Sequence, residues 1–158
     1  MQCRRVLMRF LIFALIGLLI EVFFGAAGNL IKMNWNMRGS TSPWMMLDYG
    51  LFGIILMPVA KPLKRWSVPL FARAFFYMLV IFLVEYVSGV IFHFGLGLRV
   101  WDYSHMPYNL HGQIALYFAP GWYALGFVAE YLYKRVDACA VVLTRGFSAE
   151  QLAGFNPD

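Results

Sequence analysis

The sequence predicts an all-α fold: an integral membrane four-helix bundle with both termini in the cytoplasm. Three observations point there. Apolar residues make up 61% of the 158 positions and charged residues 13%, against about 45–50% and about 25% in soluble domains. The mean hydropathy is +0.65, and apolar stretches recur at lengths suited to bilayer crossings of roughly 20 residues. Finally, the basic residues are spread unevenly over the connecting segments, which sets an orientation.

The first span is expected over about Met8 to Ile31. Its basic start and apolar run resemble a signal peptide, but the run passes Glu21 without an early small-x-small cleavage site, so it reads as a retained span. The second is expected over about Trp44 to Pro62, with Pro58 as a kink. The third, about Leu70 to Leu98, is the longest and so is tilted or extends past the lipid. The fourth covers about Gly112 to Tyr133 and bends at Pro120 and Gly121. Residues 1–137 then form the transmembrane domain and 138–158 a cytoplasmic tail, short and amphipathic or disordered, in which Ser148 to Gln151 fits a capping box.

Arg4, Arg5, Arg9, Lys61, Lys64, Arg65, Arg73, Lys134, Arg135 and Arg145 fall on the segments holding the termini and the middle loop. Only Lys32, Arg38 and Arg99 fall on the other two loops. That bias places both termini inside. Trp35, Trp44, Trp101, Tyr103 and Tyr108 then form an outer aromatic belt, and Trp66 and Tyr133 an inner one. Glu130 lies four residues before Lys134, the spacing of a surface ion pair.

A formal charge of +5 is better read as orientation against an anionic leaflet than as a nucleic-acid surface. The two cysteines, Cys3 and Cys139, give no disulfide framework. No P-loop is present, so any ATPase would be a separate subunit, and no cofactor is expected.

Glu21 and Glu85 stand in the middle of apolar spans, where an unpaired carboxylate costs several kcal/mol. Gly17, Glu21, Gly25 and Asn29 share one helix face, as do Glu85, Gly89 and His93. At about 1.5 Å per residue, Glu21 lies about 20 Å and Glu85 about 22 Å from the inner side, with Asp48 about 6 Å below the outer one. All three therefore fall in the outer half of the core, under loops carrying Arg38 and the run Trp101-Asp102-Tyr103-Ser104 through Asn109. Arg38 and Arg99 are candidate partners for the carboxylates, as are Tyr49, Tyr86 and Ser88. His93, His105 and His111 with Asp102 are weak candidates for a metal site, since no two histidines share a compact ligand spacing.

Val84-Glu-Tyr-Val-Ser-Gly89, Trp101-Asp-Tyr-Ser104, Asn109-Leu-His-Gly112-Gln-Ile114 and Trp122 resemble the CmpB-like "Putative ABC-transporter type IV" membrane family. Within it the chain is most similar to the transmembrane protein 229 group. The resemblance covers about Ile12 to Tyr133 and implies a multi-span membrane protein with a transporter-like role. Gln113 and Thr41-Ser42-Pro43 depart from the pattern, which has a basic or aromatic residue and a Gly-Pro dipeptide there.

The leading expectation is a transport or permeation component in the plasma (inner) membrane, with Glu21, Glu85 and Asp48 around an outward cavity for a small cation or cationic solute. Arg38, Tyr49, Trp101, Asp102, Tyr103, Ser104 and Asn109 are further binding candidates. An intramembrane enzyme acting on a lipid or isoprenoid, using Asp102, His105, His111 and Glu85, is the alternative, and a structural subunit the third. Expected partners are membrane lipid and further copies of the chain, meeting through Gly50 and Gly53 or Gly25 and Gly28. The two halves echo each other, each with a central Glu and an outer Trp loop, which raises the expectation of a parallel two-helix repeat.

Overall fold

The computed structural model describes residues 2–154. It is mostly helical: α1 covers Gln2–Ile31, α2 Met45–Arg65, α3 Leu70–Val90, α4 Ala119–Arg145 and α5 Ala149–Ala153. The first three, counting α3 through Gly95, are long and apolar enough to cross a membrane. Beside them stands α4, a helix of 27 residues whose polar and charged positions lower its hydropathy. We call the end holding Gln2, Arg145 and the α2–α3 turn the terminal end, and the other the loop end.

Helix boundaries follow local chemistry. Pro69 is extended and opens α3, as the fixed φ of proline allows. Pro58 and Pro62 lie inside α2. After Val90 the helix widens into a π turn, Ile91–Gly95, that carries His93. Gly146, left-handed at φ 71°, closes α4. The expected capping box is present, with Gln151 N–H donating to Ser148 Oγ and the Ser148 N–H to Gln151 Oε1.

The fourth helix departs from expectation at both ends. It begins at Ala119, with Pro120 in its first turn, and continues past Tyr133 to Arg145. Residues 109–118 instead form a two-stranded antiparallel hairpin, β1 Asn109–Leu110 and β2 Ile114–Ala115, then a single 3-10 turn. Proline is tolerated where no intrahelical N–H bond is needed, so Pro120 starts the helix rather than bending it.

All four long helices contribute to one core cluster, in which Phe13, Leu56, Tyr77 and Tyr133 are the large members. Close approach depends on small residues. A Cβ on Gly126 would lie 2.7 Å from the Ala74 carbonyl oxygen, and one on Gly53 3.0 Å from that of Arg9. Gly50 and Gly53 are therefore filled by α1 of the same chain and present no free oligomer face. Gly28 stays open, with nothing near its would-be Cβ.

Two carboxylates of α4 tie the terminal end together. Glu130 accepts from Lys64 at 2.5 Å, Arg73 at 2.7 Å and Tyr77 at 2.5 Å, joining α2 and α3 to α4. Asp137 takes Arg9 at 2.8 Å and also pairs with Arg5, joining α1. Glu130 thus does not form the expected surface pair with Lys134. Its side chain is only 12% exposed and faces inward, where counter-charges from two other helices meet it, while Lys134 points outward.

Removing one partner of a buried ion network strands the others. Glu130→Gln is expected to destabilise the fold by about 3 kcal/mol, and Lys134→Ala by less than about 0.5 kcal/mol. Unfolding in detergent, followed by circular dichroism, checks this; equal losses would contradict the network.

Candidate functional site

Gly17 on α1 leaves the space that Tyr49 of α2 occupies, since a Cβ there would fall on the Tyr49 ring. Seated in this notch, the Tyr49 hydroxyl donates to Glu21 Oε1 at 2.6 Å. The α1–α2 loop docks just beyond. Asn29 donates to the Arg38 backbone carbonyl at 2.5 Å and the Gly25 carbonyl at 3.3 Å. Glu21 is therefore held by tyrosine; Arg38 contributes its backbone, and its residue is exposed.

Glu85 of α3 is 7% exposed. Its Oε1 accepts from the Tyr103 hydroxyl at 3.1 Å, and Tyr103 reaches it because the α3–α4 connection folds inward. Gly112 and His111 are both left-handed, at φ 68° and 53°, and make the hairpin turn. Asn109 accepts from Gly112 N–H at 2.9 Å and donates to Met106 O at 2.7 Å, and Tyr103 N–H donates to Gly112 O at 2.8 Å. Asp102 accepts from Ser104 N–H at 2.8 Å, and these bonds from Ser104 hold its carboxyl below the usual range. Trp101 donates to Gln113 O at 2.8 Å. Asp102, Ser104 and Asn109 thus build the turn that delivers Tyr103.

A cavity of about 60 Å³ lies between the four helices, room for a few water molecules. Asp48, Tyr49, Glu85 and Trp122 are its polar wall residues; the rest, including Phe13, Ile16 and Leu125, are apolar. Glu21 is not in the wall and stands behind Tyr49. Asp48 is 8% exposed, and neither of its oxygens meets a protein donor among the described residues. Glu85 Oε2 and the Trp122 indole N–H are likewise buried without a bond. Ser88 stands near Asp48 and Trp122 near Glu85. The Ser88 hydroxyl, however, already donates to the Val84 carbonyl at 2.7 Å.

Tyr49, bonded to Glu21, lines the same cavity as Asp48 and Glu85, which brings the three carboxyl groups around one place. Among the described residues, no Lys or Arg pairs with any of them; the ion pairs lie at the terminal end or, between Arg99 and Asp102 at 3.7 Å, in the α3–α4 connection. An unneutralised cluster at low dielectric is unfavourable, and it attracts protons or cations.

The histidines do not converge. His93 bonds Gln113 at 3.0 Å, His111 bonds Tyr86 at 3.0 Å, and His105 is exposed. No group of three His, Cys, Asp or Glu among the described residues could hold a metal. Tyr86 therefore serves His111 and not a carboxylate. Trp101 and Tyr103 turn inward and leave the expected belt, whereas Trp35 and Tyr108 remain 74% and 84% exposed.

A family model described as "Putative ABC-transporter type IV" matches residues 8–149. The chain belongs to that family. No solved structure matches it. The match takes in every residue of the carboxyl cluster and the hairpin that serves it, and the family assignment together with the apolar helices makes this type IV family chain a membrane protein. Trp122, Phe118 and Gln113 are site residues that sequence spacing did not select. Phe118 packs on Tyr103 with ring centroids 4.9 Å apart, and Gln113, 2% exposed, fills the space over Gly89. Trp122 stood out as a motif position, but only the packing gives it a buried carboxyl as neighbour.

Gly17→Ala is expected to cost about 1–3 kcal/mol by overpacking and to displace Tyr49 from Glu21. A thermal unfolding midpoint in detergent equal to the parent's would contradict this seating.

Proposed function

We propose that this family member is a transport or permeation component in which Glu21, Asp48 and Glu85 bind a small cation or cationic solute, entering from the loop end. The carrying observation is that both Asp48 oxygens and Glu85 Oε2 are buried without protein donors beside one cavity. Two tyrosines each donate to one carboxyl, so Glu21 and Glu85 are oriented while three oxygens stay available. The cavity volume of about 60 Å³ favours a small ion over a large solute. Binding would supply the counter-charge that the protein itself withholds, and proton exchange at the same oxygens offers a means of coupling.

The four long helices form, in this reading, a four-span bundle in the plasma membrane, with the terminal end cytoplasmic as the basic residues favour. A parallel duplication underlies it. Phe13, Ala14, Gly17, Glu21 and Gly25 of α1 correspond at one offset (85 − 21 = 64) to Tyr77, Met78, Ile81, Glu85 and Gly89 of α3. Gly53, Leu56, Ala60 and Leu63 of α2 correspond at another (126 − 53 = 73) to Gly126, Ala129, Tyr133 and Val136 of α4, and all eight are buried. The second offset also carries Tyr49 onto Trp122, so each central glutamate has an aromatic N–H or O–H group from its return helix nearby. Repeats of this kind set binding sites at their interface. Similarity to the transmembrane protein 229 group fits this reading, as does assembly of several copies through faces other than Gly50 and Gly53.

The enzyme alternative has less to support it: His111 bonds Tyr86 and Asp102 accepts from Ser104, so both are engaged in the loop. In proteoliposomes, Asp48→Asn and the double variant Glu21→Gln, Glu85→Gln are expected to abolish uptake of a labelled cation at unchanged expression. Uptake at the parent's rate by these variants would refute the assignment. Lost assembly with intact activity per assembled complex would instead mark the carboxyls as structural.

A further inference from the structure

The terminal end holds a second cavity, of about 140 Å³, walled by Gln2, Arg4 and Arg5 of α1 and Val141, Thr144 and Arg145 of α4. Three arginines line it, and no carboxylate does. Asp137, one turn away on α4, is already divided between Arg5 and Arg9. Arg4 and Arg145 have no acidic partner among the described residues. The Thr144 hydroxyl donates back to the Ala140 carbonyl at 2.7 Å, and Arg5 is given to Asp137, so the donors left for the cavity come chiefly from Arg4, Arg145 and Gln2.

Like charges gathered this way repel unless an anion or water lies among them. Guanidinium forks match the oxygens of a phosphate better than a halide or a single-point anion. The surroundings are apolar on the membrane side: Leu7 and Leu143, within one turn of the cavity residues, are 57% and 59% exposed. A ligand with a phosphate head and a hydrocarbon body would satisfy both features, and basic pockets between spanning helices are the usual seats of anionic headgroups.

We propose that this pocket binds the phosphate headgroup of an anionic phospholipid, clamping α1 to α4 at the terminal end. The site is separate from the carboxyl cluster and does not depend on it. In nanodiscs of phosphatidylcholine containing phosphatidic acid, the full chain is expected to retain phosphatidic acid preferentially by native mass spectrometry. The double variant Arg4→Gln, Arg145→Gln is expected to reduce that retention about tenfold or more, as loss of two charge-assisted contacts implies. Arg65→Gln, an exposed basic residue of α2 outside the pocket, serves as control and should retain it fully. Equal retention by the double variant and the parent, or no preference over phosphatidylcholine, would overturn the proposal. Thermal stabilisation in detergent by inorganic phosphate, with no response to phosphatidic acid, would assign the pocket to free phosphate and overturn the lipid reading.

Discussion

A carboxylate withdrawn from water needs either a counter-charge or a set of hydrogen-bond donors, and this chain handles its acidic residues in two opposite ways. On α4, Glu130 and Asp137 each receive at least two cations from other helices, so the four long helices are tied together near the terminal end. Toward the loop end, Glu21, Asp48 and Glu85 receive tyrosine hydroxyls or nothing. Attraction closes one end, and unrelieved negative charge gathers toward the other. Small residues make both possible, since Gly53 and Gly126 bring helix backbones close enough for the short ionic contacts.

The same division explains the long α3–α4 connection. A simple loop would leave Glu85 without the Tyr103 hydroxyl as donor. The hairpin at 109–115, its left-handed turn and the Asn109 and Asp102 bonds instead hold a rigid strut that pushes Tyr103 down onto the carboxyl. Its cost is a buried Gln113 over Gly89, stabilised by His93, His111 and the Trp101 indole through backbone and side-chain bonds. On the other side, Tyr49 does the equivalent work from within α2, with Gly17 as its seat. Two different routes place a phenol on each central glutamate.

Much of this was legible in the sequence. The positions of the first three long helices follow from apolar run length, and the carboxyls of Glu21 and Glu85 stand out because charge inside such a run is costly. The Gly17, Glu21, Gly25 face and the Glu85, Gly89, His93 face follow from helical period alone. Pro120 misled, because proline inside an apolar run reads as a bend when the run is assumed to be one helix. Glu130 misled for a related reason: the i,i+4 rule sees only its own helix, while Lys64 and Arg73 approach from others. Asp102, Ser104 and Asn109 looked like ligand groups because turn-forming and ligand-binding residues are the same chemical types.

By itself, then, the sequence determined the membrane environment, the helical content, the family motifs and which acidic residues would be expensive, since each depends on local composition and period. The tertiary structure alone decided which expensive residues are paired. Pairing depends on which side chains of distant segments meet, and that is set by packing: Tyr49 in the Gly17 notch, the hairpin carrying Tyr103, and two α4 carboxylates that meet Arg5, Arg9, Lys64 and Arg73 at the terminal end. With those cations committed there, Asp48 and Glu85 are left beside a cavity without protein counter-charge, an outcome no single stretch of the chain encodes.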